Sequence, residues 1–322
     1  MDNQMLFVCG FPSGGTDLLK TVLNAHPEIY LNGEMPLLHT LNEQGYSANT
    51  QIKTVEQYKE IRSFFSKTDI WGNCENLDID IDDYLRSHKS ATFGPLLKHL
   101  FSTQERSIWG NKTPQNTENM KALHQMFPEA KFLVLVRDVR DVCLSWHKKW
   151  GKDRLWCAEK WNQRMTKGWN AAQSLPAEQS LFVRYESLLL ETEAFSHSVC
   201  QFLGIPFSKQ MLNHHEHTSE RIDGKLNYGQ KILKPNFNKW ERELTEAEIK
   251  RIEEIAFSGL TTFNYGISQA TQAKPISVIE KGKGFTNDAL GMIFVGNQAS
   301  SQNTLTKRLR ATTTNLYKTI QK

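Results

Sequence analysis

The apolar positions of the chain form short, nearly continuous runs that alternate with stretches of helical periodicity. The first run, residues 5–9, leads into a turn rich in Gly and Pro, and then into apolar positions at helical spacing that stop before Pro27. A second run, residues 131–136, is apolar at every position after Lys131, as expected for a parallel strand buried on both faces. This alternation predicts an α/β fold with a mostly parallel sheet and helices on both faces.

Weaker signals complete the pattern. They predict short strands at residues 29–31, 107–109 and 180–186, and helices at residues 56–65, 81–101, 120–127, 193–202 and 246–256. Thr245 and Glu248 form a capping-box signature at the start of the last helix. Residues 268–322 are rich in Gln, Thr, Ser and Lys, and predict an appendage that is at best partly ordered. We therefore expect one domain over residues 1–267, followed by the appendage 268–322.

Composition and charge exclude several classes of protein. The net charge of +4 suits an anionic ligand, whereas a general nucleic-acid binder needs a denser basic patch. No apolar run approaches the ~20 residues of a membrane helix, and the first strand starts almost at Met1, where a signal peptide would lie. The five cysteines are scattered and include no C-x-x-C pair, so neither zinc nor a disulfide framework is indicated. These features predict a cytoplasmic protein with no membrane span, no metal and no nucleic-acid partner.

The turn after the first strand has the composition of a phosphate cradle. In such loops the backbone N–H groups and the positive end of the next helix converge on one anion. The spacing from Gly10 to Gly15 fits half of a nucleotide P-loop, but Thr16 and Asp17 replace the Lys-Ser/Thr pair that should follow. The missing lysine argues against an ATPase or a kinase. The alternative interpretation is a tight turn between a strand and a helix.

The loop resembles the 5′-phosphosulfate loop of sulfotransferases that use 3′-phosphoadenosine 5′-phosphosulfate (PAPS). The positions that match are Gly10, Pro12, Gly15, Thr16, Leu18 and Leu19. Three positions depart: Ser13 replaces the family's Arg or Lys, Gly14 its Ser, and Asp17 its Thr or Ser. The resemblance implies a P-loop-like fold whose loop binds the nucleotide through Pro12, Ser13, Gly14, Gly15, Thr16 and Asp17.

Arg137 follows the best strand signal, at the carboxyl end where open α/β sheets bind ligands. Its run through Ser145 resembles the family's 3′-phosphate site, which implies that these two residues hold that phosphate while Arg140 supports the loop. The alternative is an exposed helix in which Asp138 and Asp141 pair with Arg140. Two later stretches resemble segments that lie along or over the nucleotide, and they imply further contacts from Tyr185, Lys234, Asn236 and Lys239.

Two residues are candidates for catalysis. Glu34 stands in a Gly-Glu turn after a short strand, at the position where the family has its general base. Without the resemblance, it would be interpreted as a solvated loop residue. His26 and His39 lie nearby in sequence and are the alternative candidates for the base. Lys112 lies in a Gly-Asn-Lys-Thr-Pro turn similar to one whose lysine faces the transferred sulfuryl group. Because Ser13 has replaced the loop cation, Lys112 is the candidate donor for the charge on the leaving group, together with the amides of Gly14, Gly15 and Thr16.

The resemblance covers residues 5–266 and implies a single-domain sulfotransferase that moves a sulfuryl group from PAPS to an acceptor hydroxyl and releases 3′-phosphoadenosine 5′-phosphate (PAP). The tyrosine enzymes of the family act in a secretory context, whereas this chain is predicted to be cytoplasmic. A carbohydrate acceptor is therefore expected. The alternatives are transfer to a peptide tyrosine and a non-catalytic PAP-binding protein. Five tryptophans near cations fit either core packing or stacking on a sugar: Trp146, Trp150, Trp156, Trp161 and Trp169.

Overall fold

The computed structural model describes residues 4–34, 50–57, 59–60, 91–92, 106–216 and 236–284. The strands in these ranges are β1 Gln4–Cys9, β2 Ile29–Asn32, β3 Gln51–Ile52, β4 Ala91–Thr92, β5 Ile108–Lys112, β6 Lys131–Val136 and β7 Ser180–Arg184. The α-helices are α1 Thr16–Asn24, α2 Met120–Met126, α3 Val139–Trp150, α4 Arg154–Ala172, α5 Tyr185–Leu190, α6 Thr192–Leu203, α7 Trp240–Glu243, α8 Glu246–Ile255 and α9 Phe257–Thr262. Within the same described ranges, three 3₁₀ stretches lie at Pro114–Asn119, Ala177–Gln179 and Lys209–Glu216.

The chain divides into two compact units. The first consists of Met1–Arg137 and Lys167–Asn236, and the second of Asp138–Thr166 and Phe237–Lys322. Helix α4 contributes residues to both units. All seven described strands belong to the first unit, and α3, α7, α8 and α9 belong to the second.

The first unit is built on a five-stranded sheet in the order β2-β5-β1-β6-β7. Every neighbouring pair in this sheet is parallel. β1 lies at the centre and is almost wholly buried, as its apolar sequence predicts. β3 and β4 form a separate two-residue antiparallel pair. The predicted α/β class with a mostly parallel sheet is therefore confirmed.

Gly110 lets β5 pair closely with β1. A Cβ added at this position would lie 1.8 Å from the carbonyl oxygen of Leu6, so only glycine fits without a shift of the backbone. The pairing sets Leu6 opposite Gly110 and Val8 opposite Lys112. The sequence predicts that residues 110–114 form a turn, but residues 110–112 continue the strand, and the chain leaves the sheet only at Thr113. Lys112 is thus a strand residue.

The second unit is organised by buried ion pairs. Arg140 Nη1 lies 2.6 Å from Glu253 Oε1, and its Nη2 lies 2.6 Å from Asp138 Oδ2. The guanidinium also lies 3.7 Å from the ring centroid of Trp240. Burial alone would raise the pKa of Glu253, but N–H donors from residues 268–270 hold that pKa below its usual value. Arg140 is therefore a buried structural cation, rather than part of an exposed helix laced with ion pairs.

Two other predictions concern regions that the structure describes in part. The helix predicted at residues 81–101 is wrong at Ala91–Thr92, because these residues pair with Gln51–Ile52 as β4. The remainder of that range, most of the helix at 56–65 and residues 285–322 lie outside the described residues. The capping box at Thr245 and Glu248 is confirmed, with both of its reciprocal hydrogen bonds present.

The close pairing at Gly110 predicts a large loss of stability on substitution. We expect Gly110→Ala to lower the free energy of unfolding by more than about 2 kcal/mol, because the added Cβ overlaps a backbone carbonyl that cannot move without breaking the ladder. Gly266→Ala is the matched control, since nothing lies within 4 Å of its added Cβ. Urea unfolding measures both variants. A Gly110→Ala protein as stable as the control would contradict this account of the sheet.

Candidate active site

Most of the candidate residues in the described part of the first unit lie where parallel strands end. The glycine loop follows β1, Glu34 follows β2, Lys112 is the last residue of β5, Arg137 follows β6, and Tyr185 follows β7. The carboxyl ends of parallel strands lie at one edge of a sheet, which is where open α/β sheets bind ligands. Residues that are scattered along the chain thus share one edge.

The loop after β1 is held in a tight, unusual conformation. The N–H of Gly14 donates to Phe11 O at 2.8 Å, and this closes a turn in which Ser13 has a φ of 63°. A positive φ is uncommon for serine and marks a constrained loop. Gly15 follows with a φ of 94° and stands at the N-cap of α1. The N–H of Gly14 is therefore engaged in the turn, which counts against its predicted role as a donor to the leaving group.

Gly15 also permits close contact with Tyr185. A Cβ at Gly15 would lie 2.4 Å from two ring carbons of Tyr185, so the ring packs directly against the loop backbone. The hydroxyl oxygen of Tyr185 accepts a hydrogen bond of 2.9 Å from the side chain of Asn236. Tyr185 and Asn236, both predicted to contact the nucleotide, are thus brought to the loop.

Arg137 connects the loop to Asn236. Its side chain is 7% exposed; Nη1 donates to Ser13 O and Nη2 to Asn236 O, both at 3.1 Å. Its guanidinium lies 4.4 Å from the ring centroid of Tyr185. The structure brings these residues together around one buried cation.

Three features of the site fit an anionic ligand. The N-terminus of α1 has no side-chain cap, so the positive end of the helix dipole is open to a negative group. Arg137 Nε and Ser13 Oγ are buried and have no hydrogen-bond partner among the described residues. Buried polar groups normally find partners, and a phosphate oxygen would supply acceptors here. The donor set therefore fits the phosphates of the predicted nucleotide.

Lys112 lies between two carboxylates. Its side chain is almost fully buried, and Nζ lies 2.7 Å from Glu34 Oε1 and 2.6 Å from Asp17 Oδ1. Glu34 and Asp17 are themselves half-exposed. The sequence predicts Glu34 and Lys112 as catalytic partners, and the structure places them in contact. The contact with Asp17 is not predicted, although the replacement of the family's Thr or Ser at that position is a signal that could have revealed it.

The charges around Lys112 determine its protonation. Burial alone would lower the pKa of this ammonium, but the carboxylates of Asp17 and Glu34 outweigh burial and raise the pKa above its usual value. Lys112 is therefore a cation throughout the neutral pH range. It can donate hydrogen bonds but cannot act as a base.

The turn after Lys112 is fixed by polar side chains. Asn111 Oδ1 accepts hydrogen bonds of 3.0 Å from Thr113 Oγ1 and from Asn116 Nδ2. Thr117 Oγ1 accepts from the N–H of Gly10 at 2.7 Å and lies 2.8 Å from Gly10 O. These contacts join the turn to the glycine loop and so set the backbone on either side of the Lys112 side chain.

The other predicted nucleotide contacts lie in the second unit or outside the described residues. Ser145 is half-buried on α3. Lys239 directly precedes α7, and its N–H donates to Asp141 Oδ1 at 2.9 Å. Asp141 also accepts from the N–H groups of Asn238 and Trp240, so its carboxylate fixes this turn. Lys234 lies outside the described residues.

The alternative candidates have structural contacts. The ring of His26 is buried, with Nε2 2.8 Å from Pro206 O and Nδ1 accepting from the N–H of Glu28 at 3.1 Å. Both of its ring nitrogens are thus engaged, which counts against His26 as a base. His39 lies outside the described residues. Trp161 is fully buried, whereas Trp146 and Trp150 are half-buried beneath the ammonium of Lys152.

Comparison with known sequences identifies a family match over most of the chain. Residues 5–209 match the model of the sulfotransferase family. A relative from Caenorhabditis briggsae is 26% identical over 232 residues, which cover 68% of this chain and 72% of that protein. Protein-tyrosine sulfotransferase 2 of Gallus gallus is 25% identical over 226 residues, 66% of this chain and 54% of the relative. The chain thus spans about half the length of the chicken enzyme.

The fold also matches solved structures. The sulfotransferase domain of the Synechococcus PCC 7002 olefin synthase superposes with a TM-score of 0.55 at 19% identity, covering 83% of this chain and 96% of that domain. At this identity the match establishes the fold alone.

The prediction of a cytoplasmic protein is wrong. The relatives include proteins named protein-tyrosine sulfotransferases, and the tyrosine enzymes of the family act in a secretory context. A strand close to Met1 is therefore no guide to the compartment. Among the helices in the described part of the chain, none has the length and apolar character needed to cross a bilayer.

The contacts of Arg137 predict a selective loss of nucleotide affinity. We expect Arg137→Ala to weaken PAP binding by roughly 1.5–3 kcal/mol, the value of charge-assisted hydrogen bonds. Adenosine 5′-phosphosulfate lacks the 3′-phosphate and should lose much less, although Arg137 also holds the carbonyl of Ser13. Isothermal titration calorimetry with both ligands tests this, with Arg184→Ala, another arginine at a strand end, as the control. Equal losses for the two ligands would make Arg137 a purely structural residue.

Proposed function

Because the chain belongs to the sulfotransferase family, we propose that it transfers a sulfuryl group from PAPS to the phenolic hydroxyl of a peptide tyrosine. The observation that carries the proposal is the contact between Glu34 and Lys112, a carboxylate and a buried cation at the sheet edge that also holds the glycine loop. Such a pair supplies both a proton acceptor and a donor to developing charge.

The family match confirms the predicted enzyme class and its nucleotide, PAPS with PAP as the product. The acceptor is a separate question. The relatives named protein-tyrosine sulfotransferases favour tyrosine over the carbohydrate that the sequence reasoning prefers. A tyrosine hydroxyl is also the more acidic nucleophile, since its ordinary pKa is about 10. Transfer to a peptide tyrosine is therefore the proposed reaction.

The residues divide the reaction between them. PAPS supplies an activated sulfuryl group joined to phosphate through a bridging oxygen. As the acceptor oxygen bonds to sulfur, the bond from sulfur to the bridging oxygen breaks and its electron pair stays on the phosphate of PAP. Glu34, half-exposed after β2, accepts the proton of the acceptor hydroxyl. Lys112 donates to the oxygens on which negative charge develops.

Binding of the nucleotide is assigned to the loop and its buried cation. The open N-terminus of α1 faces the 5′-phosphosulfate, because that is where the family's loop holds it and where backbone N–H groups remain for an anion. Arg137, whose buried Nε has no hydrogen-bond partner among the described residues, serves the 3′-phosphate. Ser145, Lys234 and Lys239 remain predicted contacts of the nucleotide.

The acceptor is tested by sulfate transfer from radiolabelled PAPS. We expect transfer to a tyrosine peptide, no transfer to its phenylalanine counterpart, and none to a panel of glycans. In Glu34→Gln, which keeps the shape of the side chain but removes its charge, turnover should fall by ~10²-fold or more while PAP affinity stays unchanged. Transfer to a glycan but not to the tyrosine peptide would show that the acceptor is a carbohydrate and not a tyrosine. Tight PAP binding without transfer to any acceptor would indicate a non-catalytic binding protein.

The role of Lys112 is tested by a double-mutant cycle with Ser13. Loss of one preorganised donor costs ~10²–10³-fold in rate, and Lys112→Ala should reach that range because the loop carries no cation of its own. Ser13→Arg restores the family's cation and should recover part of the loss, because two cations that serve one charge are not additive. Turnover is measured at saturating PAPS. Near-normal turnover in Lys112→Ala would show that Lys112 has a structural role and is not a donor in the reaction.

A further inference from the structure

The carboxylate of Asp17 has no role in the proposed reaction, although the resemblance assigns its position in the loop to nucleotide binding. It lies in the first turn of α1, its side chain is 46% exposed, and its Oδ1 contacts Lys112 Nζ at 2.6 Å. A carboxylate in a first turn favours a helix in general, through the helix dipole. At this helix, however, the N-terminus is also the proposed anion site, where a carboxylate repels the ligand. Any benefit that Asp17 brings to the reaction must therefore be larger than the loss of ligand affinity caused by that repulsion.

The geometry around Lys112 indicates such a role. Its ammonium is reached from two sides, by Asp17 from α1 and by Glu34 from the loop after β2, while Lys112 itself ends β5. An ammonium has three N–H donors on a flexible four-carbon stem. Two of these donors are engaged by carboxylates on different elements. The third has no partner among the described residues, and the two contacts fix the direction in which it can point.

We propose that Asp17 is a positioning residue, which holds the ammonium of Lys112 at the phosphosulfate loop so that its remaining donor meets the transferred group. The proposal rests on the proposed sulfotransferase function. It links two of the three departures of this loop: Ser13 removes the family's loop cation, and Asp17 adds a carboxylate that fixes a cation from the neighbouring strand. Glu34 alone could not do this, because one contact leaves the lysine stem free to rotate.

Protonation of Lys112 supports the same conclusion. Among the described residues, the charged groups that face its ammonium are Asp17 and Glu34, and both raise its pKa against the opposing effect of burial. Removal of Asp17 leaves burial opposed by Glu34 alone, so the pKa of Lys112 must fall. The reaction needs the charged form, and the rate should therefore decline at a lower pH in the variant than in the wild type.

The test compares four variants of the full chain. Asp17→Asn removes the charge at nearly constant size, Asp17→Thr restores the family residue, and Asp17→Glu keeps a carboxylate. Glu193→Gln is the matched control, because Glu193 is also an acidic residue in the first turn of a helix, α6, but has no described contact with Lys112. Each is assayed for kcat, for PAP affinity, and for the pH dependence of the Lys112 side-chain NMR signal.

We expect Asp17→Asn and Asp17→Thr to lower kcat by about tenfold or more, as a misplaced catalytic group does. PAP should bind equally well or roughly two- to fivefold more tightly, because a repelling charge is gone. Asp17→Glu should recover part of the rate, and Glu193→Gln should match the wild type. A loss of rate without a loss of PAP affinity distinguishes positioning from damage to the fold, which would weaken both.

Three results would overturn the proposal: a kcat within twofold of the wild type in Asp17→Asn, a parallel loss of PAP affinity, or an unchanged Lys112 titration. The titration and PAP binding need no acceptor, so they remain decisive if the tyrosine peptide is not a substrate. In that case a lowered pKa of Lys112 with retained PAP affinity supports positioning by Asp17. The absence of sulfate transfer would then contradict only the proposed acceptor.

Discussion

The close pairing of β1 with β5 is the constraint on which the site depends. Gly110 permits it, because any Cβ there would overlap the carbonyl of Leu6. The pairing sets Lys112 opposite Val8, two residues before the glycine loop begins. A cation at the end of one strand is thereby brought to the loop that follows its neighbour. The loop has lost its own cation at position 13, so this register determines where positive charge can enter the site.

Much of the fold was predictable because its signals are local. The apolar runs of β1 and β6 and the capping box at Thr245 each depend on a few neighbouring residues. The errors arise where distant pairing decides the structure. Residues 91–92 have helical surroundings in sequence but pair with a strand about forty residues earlier, and residues 110–112 resemble a turn but complete a ladder with β1. Pairing of this kind overrides local propensity.

The candidate site was predictable residue by residue but not contact by contact. Motifs identify Glu34, Lys112, Arg137 and Tyr185, and the strand ends explain why they share an edge. Motifs do not reveal that Arg137 also holds the carbonyl of Ser13, or that Asp141 caps the turn at 238–240. Glu253, the buried partner of Arg140, lies 113 residues away and has no signature in sequence. Side-chain partners depend on the packed fold, and one sequence contains no pattern that specifies them.

The arrangement around Lys112 is better explained by function than by stability. Burying a charge carries a desolvation cost that its partners seldom exceed by much, and well-packed apolar residues in the same place are often as stable. Here the two carboxylates are half-exposed, so their attraction for the ammonium is weakened by water. A lysine that is 3% exposed therefore gains little for the fold from this position. The position instead gives the site a fixed, permanently charged donor beside an anion-binding loop, which is the property that a group-transfer site requires.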